Sequence, residues 1–268
     1  MFRLPRLLLT ACVLLAARPV AAEKSSDEEA AFIRKNEIKL VVAAENLAHA
    51  RRVLKLEEQP PDQQVVCFFD TADGALRANH LILRARQDDG EAGESTVKLR
   101  AVPEGEALTE QELALPPEQD WTRADGPTLS RALDSDPLET GAVPRVIENG
   151  KNVISLFDPQ QRALVTARIG DLDWSRLKRY GPIRAEVWKR QLKLDGFKGR
   201  VTVEIWHLKD GDRSQEILEI STKAKADSEI EARQIAKSFF HAAKTAGFGD
   251  PTGDTKTAKA LEFYKPGR

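Results

Sequence analysis

The sequence predicts an antiparallel α+β fold of about eight strands with flanking helices, patterned as an eight-stranded, tunnel-like β-barrel would require. Three observations predict it. Segments of strand character, about eight of them and rich in Val, Ile and Trp, outnumber the helical ones. Cations alternate: Arg84 and Arg86 share one face of a strand, and Lys98 and Arg100 share one face of the next, because strand side chains repeat every second residue. Opposite the first row, Leu81, Leu83 and Ala85 form an apolar face. Apolar packing outside and cations inside is what a tunnel requires. An ordinary sheet with its arginine face in water remains compatible with the same pattern.

The elements follow in order. A first strand is expected over 34–42, then a helix over 43–58 with Leu47, Val53 and Leu54 on one face, ended by Gln59-Pro60-Pro61. A strand over 64–69 enters the turn Asp70-Thr71-Ala72-Asp73-Gly74, where short side-chain oxygens bond the backbone and glycine accepts positive φ. Strands at 80–87 and 95–102 flank the polar loop Asp88-Asp89-Gly90-Glu91. A strand over 110–115 is closed by Pro116-Pro117, and 125–151, rich in Pro, Gly and Asp, reads as loops and short helices. Further strands are expected at 162–171, 183–194, 200–209 and 215–222, the last two joined by a tight turn at Asp210-Gly211. A helix over 228–246 has the capping-box pair Ser228 and Glu231, and a short amphipathic piece over 256–264 packs on the outside.

Residues 1–22 read as a secretory signal peptide. Arg3 and Arg6 precede an apolar run, and Val20-Ala21-Ala22 forms a small-residue cleavage site before Glu23. A membrane anchor fits less well, because Arg18 and Pro19 break a run already short of the roughly 20 residues needed to span. Leu9-Thr10-Ala11-Cys12 has lipobox-like chemistry but would leave an unusually short apolar core. The expectation is therefore an exported, periplasmic product, with 23–268 as a single domain and no stable membrane span after cleavage. Removing Arg3, Arg6 and Arg18 from 41 basic residues leaves 38 against 42 acidic ones, a net charge of −4. An acidic chain is a poor generic nucleic-acid binder, so any polyanion site must be local. Cys12 leaves with the leader, and Cys67 alone cannot form an intrachain disulfide.

The order of motifs resembles the CYTH domain of the triphosphate tunnel metalloenzyme superfamily. Lys35-Asn36-Glu37-Ile38-Lys39 stands for its opening acidic strand, Phe68-Phe69-Asp70-Thr71-Ala72-Asp73 for its aromatic-Asp-Thr turn, Leu83-Arg84-Ala85-Arg86 and Thr96-Val97-Lys98 for its cationic strands. Fainter matches are Glu110 and Glu112, the Leu156-Phe157 segment with Arg162, and Glu216-Ile217-Leu218-Glu219. The resemblance covers most of the chain after the leader.

It implies that Arg84, Arg86, Lys98 and Arg162 bind phosphate, with Lys39 and Glu37 as catalytic groups and Glu37 and Glu219 holding Mg²⁺ or Mn²⁺. A phosphorylated small molecule or polyphosphate is the implied partner, and metal-dependent hydrolysis of a triphosphate the implied reaction. Arg100, Arg184 and Lys189 are weaker candidates because their facing is not fixed by the sequence. Two departures matter: Lys35 stands where the first glutamate of the opening signature belongs, and Ser221 where the second residue of the late acidic pair belongs. Glu110 and Glu112 are candidates to compensate. A non-catalytic anion-binding protein, or an envelope interaction protein, on the same scaffold is the alternative. His49, His80, His207 and His241 lack zinc spacing, and no Gly-x-Ser-x-Gly elbow or phosphate-binding Gly-rich loop occurs.

Overall fold

The computed structural model describes residues 35–150 and 152–265; the expected signal peptide lies outside them. Nine strands close into one barrel: β1 (Asn36–Val41), β2 (Asp62–Asp70), β3 (Leu81–Asp88), β4 (Gly93–Arg100), β5 (Pro117–Trp121), β6 (Thr128–Asp134), β7 (Lys178–Leu194), β8 (Phe197–Asp210) and β9 (Arg213–Ala224). Around the barrel they run β1-β5-β6-β4-β3-β2-β7-β8-β9, and β9 returns to β1. The count exceeds the expected eight by one. All pairings are antiparallel except β1 with β5, which makes the barrel mixed.

Helices α1 (Leu47–Val53), α2 (Ala75–Ala78), α3 (Glu110–Ala114), α4 (Ala142–Asn149), α5 (Pro159–Ile169) and α6 (Glu229–Thr245) lie outside the strands, whereas α7 (Lys256–Phe263), expected to pack on the outside, packs on the inward strand faces through Ala260 and Leu261. The expected helix over 43–58 is broken. Lys55 takes a left-handed φ of 52°, which stops α1 and leaves only a 3₁₀ turn at Leu56–Glu58.

Three segments were assigned differently from sequence. The expected strand at 110–115 is α3, because Thr109 and Glu112 form a reciprocal capping box. The expected strand at 162–171 is α5, nucleated by Asp158 and Gln161 in a second capping box, with Pro159 at a position whose missing N–H costs nothing. Gln161 is buried; its Nε2 donates to the carbonyls of Ser95 and Leu133 at 3.0 Å each, tying α5 to β4 and β6. In the stretch 125–151, expected as loops and short helices, β6 forms beside α4, and β5 precedes it in a segment to which no element was given. Pro117 sits at the first residue of β5, where the ladder tolerates it.

Apolar packing falls into three groups. Ile38, Leu40, Val203, Ile205, Leu218 and Ile220 pack outward under α6, and Leu81, Leu83, Ala85, Val97 and Leu99 pack outward under α4 and α5. A third group, Val41, Phe68, Ile183, Trp206 and Ile217, lies on the inward faces of β1, β2, β7, β8 and β9 and meets Ala260 and Leu261 of α7. The barrel interior is therefore apolar where α7 packs and polar elsewhere. Cys67, on the outward face of β2, is fully buried, and burial pushes its thiol pKa up to about 12. We expect native protein at pH 8 to resist thiol reagents, with labelling proceeding only at the rate of global opening; rapid stoichiometric labelling of folded protein would contradict this packing.

Candidate functional site in the barrel interior

Strand alternation builds the site. Along β3 burial alternates strictly: Leu81, Leu83 and Ala85 turn outward to the helices while Ile82, Arg84 and Arg86 turn inward. β4 pairs with it in register, Ile82 with Lys98, Arg84 with Thr96 and Arg86 with Glu94, so Glu94, Thr96, Lys98 and Arg100 join the same inner surface. The cavity they line measures about 470 Å³, room for a triphosphate-sized ligand. Lys35, Glu37 and Lys39 of the first segment, Asp88 of β3, Glu118 of β5, Asp134 of β6, Lys189 of β7, Glu204 of β8, Glu219 and Lys223 of β9 and Lys256 of α7 complete its charged lining, with Ser221 of β9 beside them. Basic side chains outnumber acidic ones by a small margin.

The turn that delivers β3 is itself a polar construction. Asp70 Oδ1 accepts from the backbone N–H groups of Thr71 at 2.7 Å and Leu76 at 2.9 Å, Thr71 Oγ1 accepts from Ala75 N–H at 2.6 Å, and Gly74 takes φ of 77°. The Asp-Thr-Ala-Asp-Gly motif thus reverses the chain and caps α2. None of its side chains reaches the cavity.

Within the cavity the charges divide into two groups. On one side Asp120 of β5 is buried at 1% exposure and receives Lys39 at 2.7 Å, Lys98 at 3.1 Å and Arg100 at 2.7 Å. Burial alone would raise its pKa, but these three cations outweigh that and hold the carboxyl far below the usual range. Lys39 also meets Glu37 at 3.0 Å. Burial disfavours its ammonium, yet Glu37 and Asp120 raise its pKa above the ordinary lysine value. Glu37, likewise opposed by burial, is held below normal by Lys39. Glu118 bridges Lys98, at 3.3 Å, and Lys35.

On the other side stand the two arginines of β3. Arg84 and Arg86 stand two residues apart on one face and share one carboxylate, Glu94, at 3.7 and 2.6 Å. Arg84 otherwise donates to Thr96 Oγ1 at 3.0 Å. Burial and the neighbouring Arg86 lower the Arg84 pKa, opposed by Glu94, Asp134 and Glu204.

Of the residues singled out from sequence, Glu37, Lys39, Arg84, Arg86, Lys98, Arg100, Lys189 and Glu219 line one cavity. Arg184 faces outward beside His207 of β8, and Arg162 lies on α5, outside the wall. Glu110 and Glu112 sit on α3, where Glu112 is buried and faces Arg168 at 3.6 Å, so neither compensates for Lys35 or Ser221. The carboxylates that do enter the cavity system, Glu94, Glu118, Asp120, Asp134 and Glu204, were missed. Glu118 and Asp120 show the alternation of a strand face, the one signal that pointed to them.

Two carboxylates expected to hold metal were tested against the chemistry of a divalent ion. Mg²⁺ and Mn²⁺ need several oxygen ligands converging on one point. Among the described residues no group of three or more Asp, Glu, His or Cys side chains converges in that way. Glu219 stands opposite Glu204 in the β8–β9 ladder, and Lys256 Nζ lies 3.0 Å from the first and 2.5 Å from the second. Burial disfavours the Lys256 ammonium, but the two glutamates raise its pKa, and Lys256 in turn holds Glu204 below normal. Glu37 is engaged by Lys39. The donor set present is a carboxylate set already matched to lysines, and it does not fit a resident divalent ion.

No family model matches the chain, and no curated protein matches it in sequence. Solved structures do match in fold. A candidate adenylyl cyclase from Hippeastrum with a dominant triphosphatase activity aligns at a TM-score of 0.55 and 18% identity, covering 85% of this chain and 95% of that one. A candidate adenylate cyclase from Bacillus halodurans aligns at 0.50 and 15%, covering 85% and 96%. With a closed strand barrel, flanking helices and a charged interior, the chain has the CYTH-type tunnel fold.

Proposed function

We propose that this chain binds a triphosphate- or polyphosphate-type anion inside its barrel, seated on Arg84 and Arg86 with Lys98 beside them. The observation that carries this is the arginine pair facing the cavity with one shared carboxylate, Glu94. Phosphate oxygens would meet Arg84 and Arg86 through short charge-assisted hydrogen bonds in a setting where water screens poorly. The phosphate-processing activity of the Hippeastrum neighbour supports the ligand class.

Hydrolysis with Mg²⁺ or Mn²⁺ is the reaction that the resemblance implies, with Lys39 and Glu37 as its catalytic groups. The present arrangement favours binding over turnover. Lys39 is clamped between Glu37 and Asp120, and Glu219 is engaged by Lys256. Arg162, on the outer helix, takes no part in this reading. We further propose, on the leader-like residues 1–22, that the remainder is exported as a single domain and meets its ligand in the periplasm. Among the described residues no helix is long and apolar enough to cross a membrane.

The test is calorimetric titration of the protein with inorganic tripolyphosphate, ATP and longer polyphosphate, beside a phosphate-release assay with and without Mg²⁺ or Mn²⁺. Saturable binding of tripolyphosphate without release of phosphate is the expected result. Metal-dependent release abolished by Lys39→Ala would establish the enzyme instead, and neither binding nor release would sink both readings.

A further inference from the structure

We propose that Lys256, the first residue of α7, is a tethered stand-in for a divalent cation: its ammonium bridges Glu204 and Glu219 and offsets one of their two negative charges, so that the pair is held together with no metal bound. The argument begins with two carboxylates placed opposite one another on β8 and β9 and turned inward. Glu219 is 3% exposed, and two such anions side by side in a poorly hydrated wall repel unless a cation joins them. A metal is the common solution, yet here a covalently attached cation occupies the position. Lys256 Nζ lies within hydrogen-bond distance of both carboxylates, and the backbone N–H of Lys256 donates to Glu219 Oε2 at 3.3 Å.

Three further contacts fix it there. Trp206 Nε1 donates to Glu204 Oε2 at 3.0 Å and so orients that carboxylate. The Trp206 ring lies 5.0 Å from the Lys256 ammonium, in the range of a cation–π contact. Thr255 caps α7 by accepting from Ala258 N–H at 3.2 Å, and Ala260 and Leu261 bury the helix in the apolar group inside the barrel. These contacts set the root of the Lys256 side chain at the rim of the two carboxylates and place the ammonium against the Trp206 ring.

Each of those contacts is made between the protein's own residues, so the cation replacement is argued independently of the ligand. Its consequence, retention of a phosphate-type ligand without metal, rests on the function proposed above.

The experiment is Mn²⁺ titration of the full chain, read by the electron paramagnetic resonance of free Mn²⁺, with no anion present. Wild type and Lys256→Arg should show no saturable site that depends on Glu219. Lys256→Met, which keeps the stem and removes the charge, should gain one Mn²⁺ per chain with a Kd of about 0.1–1 mM, the range of weak carboxylate sites. Adding Glu219→Gln should abolish the gain. A wild-type site lost in Glu219→Gln overturns the proposal, and so does a folded Lys256→Met that gains none. If circular dichroism shows that Lys256→Met is unfolded, the wild-type titration beside Glu219→Gln still decides. A wild type that ignores tripolyphosphate while the Mn²⁺ results hold removes only the ligand reading.

Discussion

Replacing Arg84 and Arg86 together with alanine is expected to abolish measurable tripolyphosphate binding while leaving the fold intact. Each charge-assisted hydrogen bond to a phosphate contributes about 1.5–3 kcal/mol, or roughly 10- to 150-fold in affinity per arginine. The two residues face one cavity from one strand and share Glu94, so their effects will couple and the double variant should fall short of the product. Stability should change little, because the two arginines share a single ion-pair partner, Glu94, and neither is fully buried. Glu94→Gln gives the opposite sign: with the shared carboxylate removed, the arginine pair should bind tripolyphosphate several-fold more tightly, by about 1 kcal/mol at the scale of a screened charge contact. Calorimetry on Arg84→Ala, Arg86→Ala, the double variant and Glu94→Gln checks this. An unchanged affinity in the double variant would place the anion elsewhere in the barrel or nowhere.

The second large effect belongs to Asp120. Its carboxylate is buried and joins Lys39, Lys98 and Arg100, so Asp120→Ala leaves three cations facing one another across the barrel. Breaking a buried ionic cluster by removing one partner costs about 3–5 kcal/mol. For a domain of this size that corresponds to roughly 6–20 °C in Tm. Urea unfolding at pH 7 measures it, and a loss below about 1 kcal/mol would mean that water already screens the cluster.

The same residue sets an acid dependence. Because the folded pKa of Asp120 is depressed by its three cations, its contribution to stability is complete above the unfolded carboxylate pKa, roughly 3.9. That contribution is lost as pH falls from there towards the folded value. Wild type should therefore lose stability more steeply than Asp120→Asn below about pH 4. Binding should move against stability: the extra net positive charge of Asp120→Asn should tighten tripolyphosphate binding even as the fold weakens.

The local pattern carried much of this protein. On β3, strict alternation set Arg84 and Arg86 inward and Leu81, Leu83 and Ala85 outward, since a strand repeats every two residues whatever surrounds it. The Asp70–Gly74 turn and helix α6, capped by Ser228, are likewise written in adjacent residues. Where the reading failed, a local signal had been outweighed by resemblance or composition. Thr109 with Glu112 and Asp158 with Gln161 are capping boxes legible in the chain, yet the first segment was read as a strand from its likeness to an acidic family strand and the second from its Val and Ile residues.

What tertiary structure alone decided is which charges meet. Asp120 and Lys39 are 81 residues apart in sequence and 2.7 Å apart in space, brought together by the parallel β1–β5 pair that no periodicity announces. Lys256 was expected on an outer amphipathic piece, yet its ammonium lies between Glu204 and Glu219, because burying Ala260 and Leu261 of α7 in the barrel's inner apolar group carries it there. Side-chain direction follows from the chain's own geometry, whereas the partner of a buried charge follows from closure of the barrel.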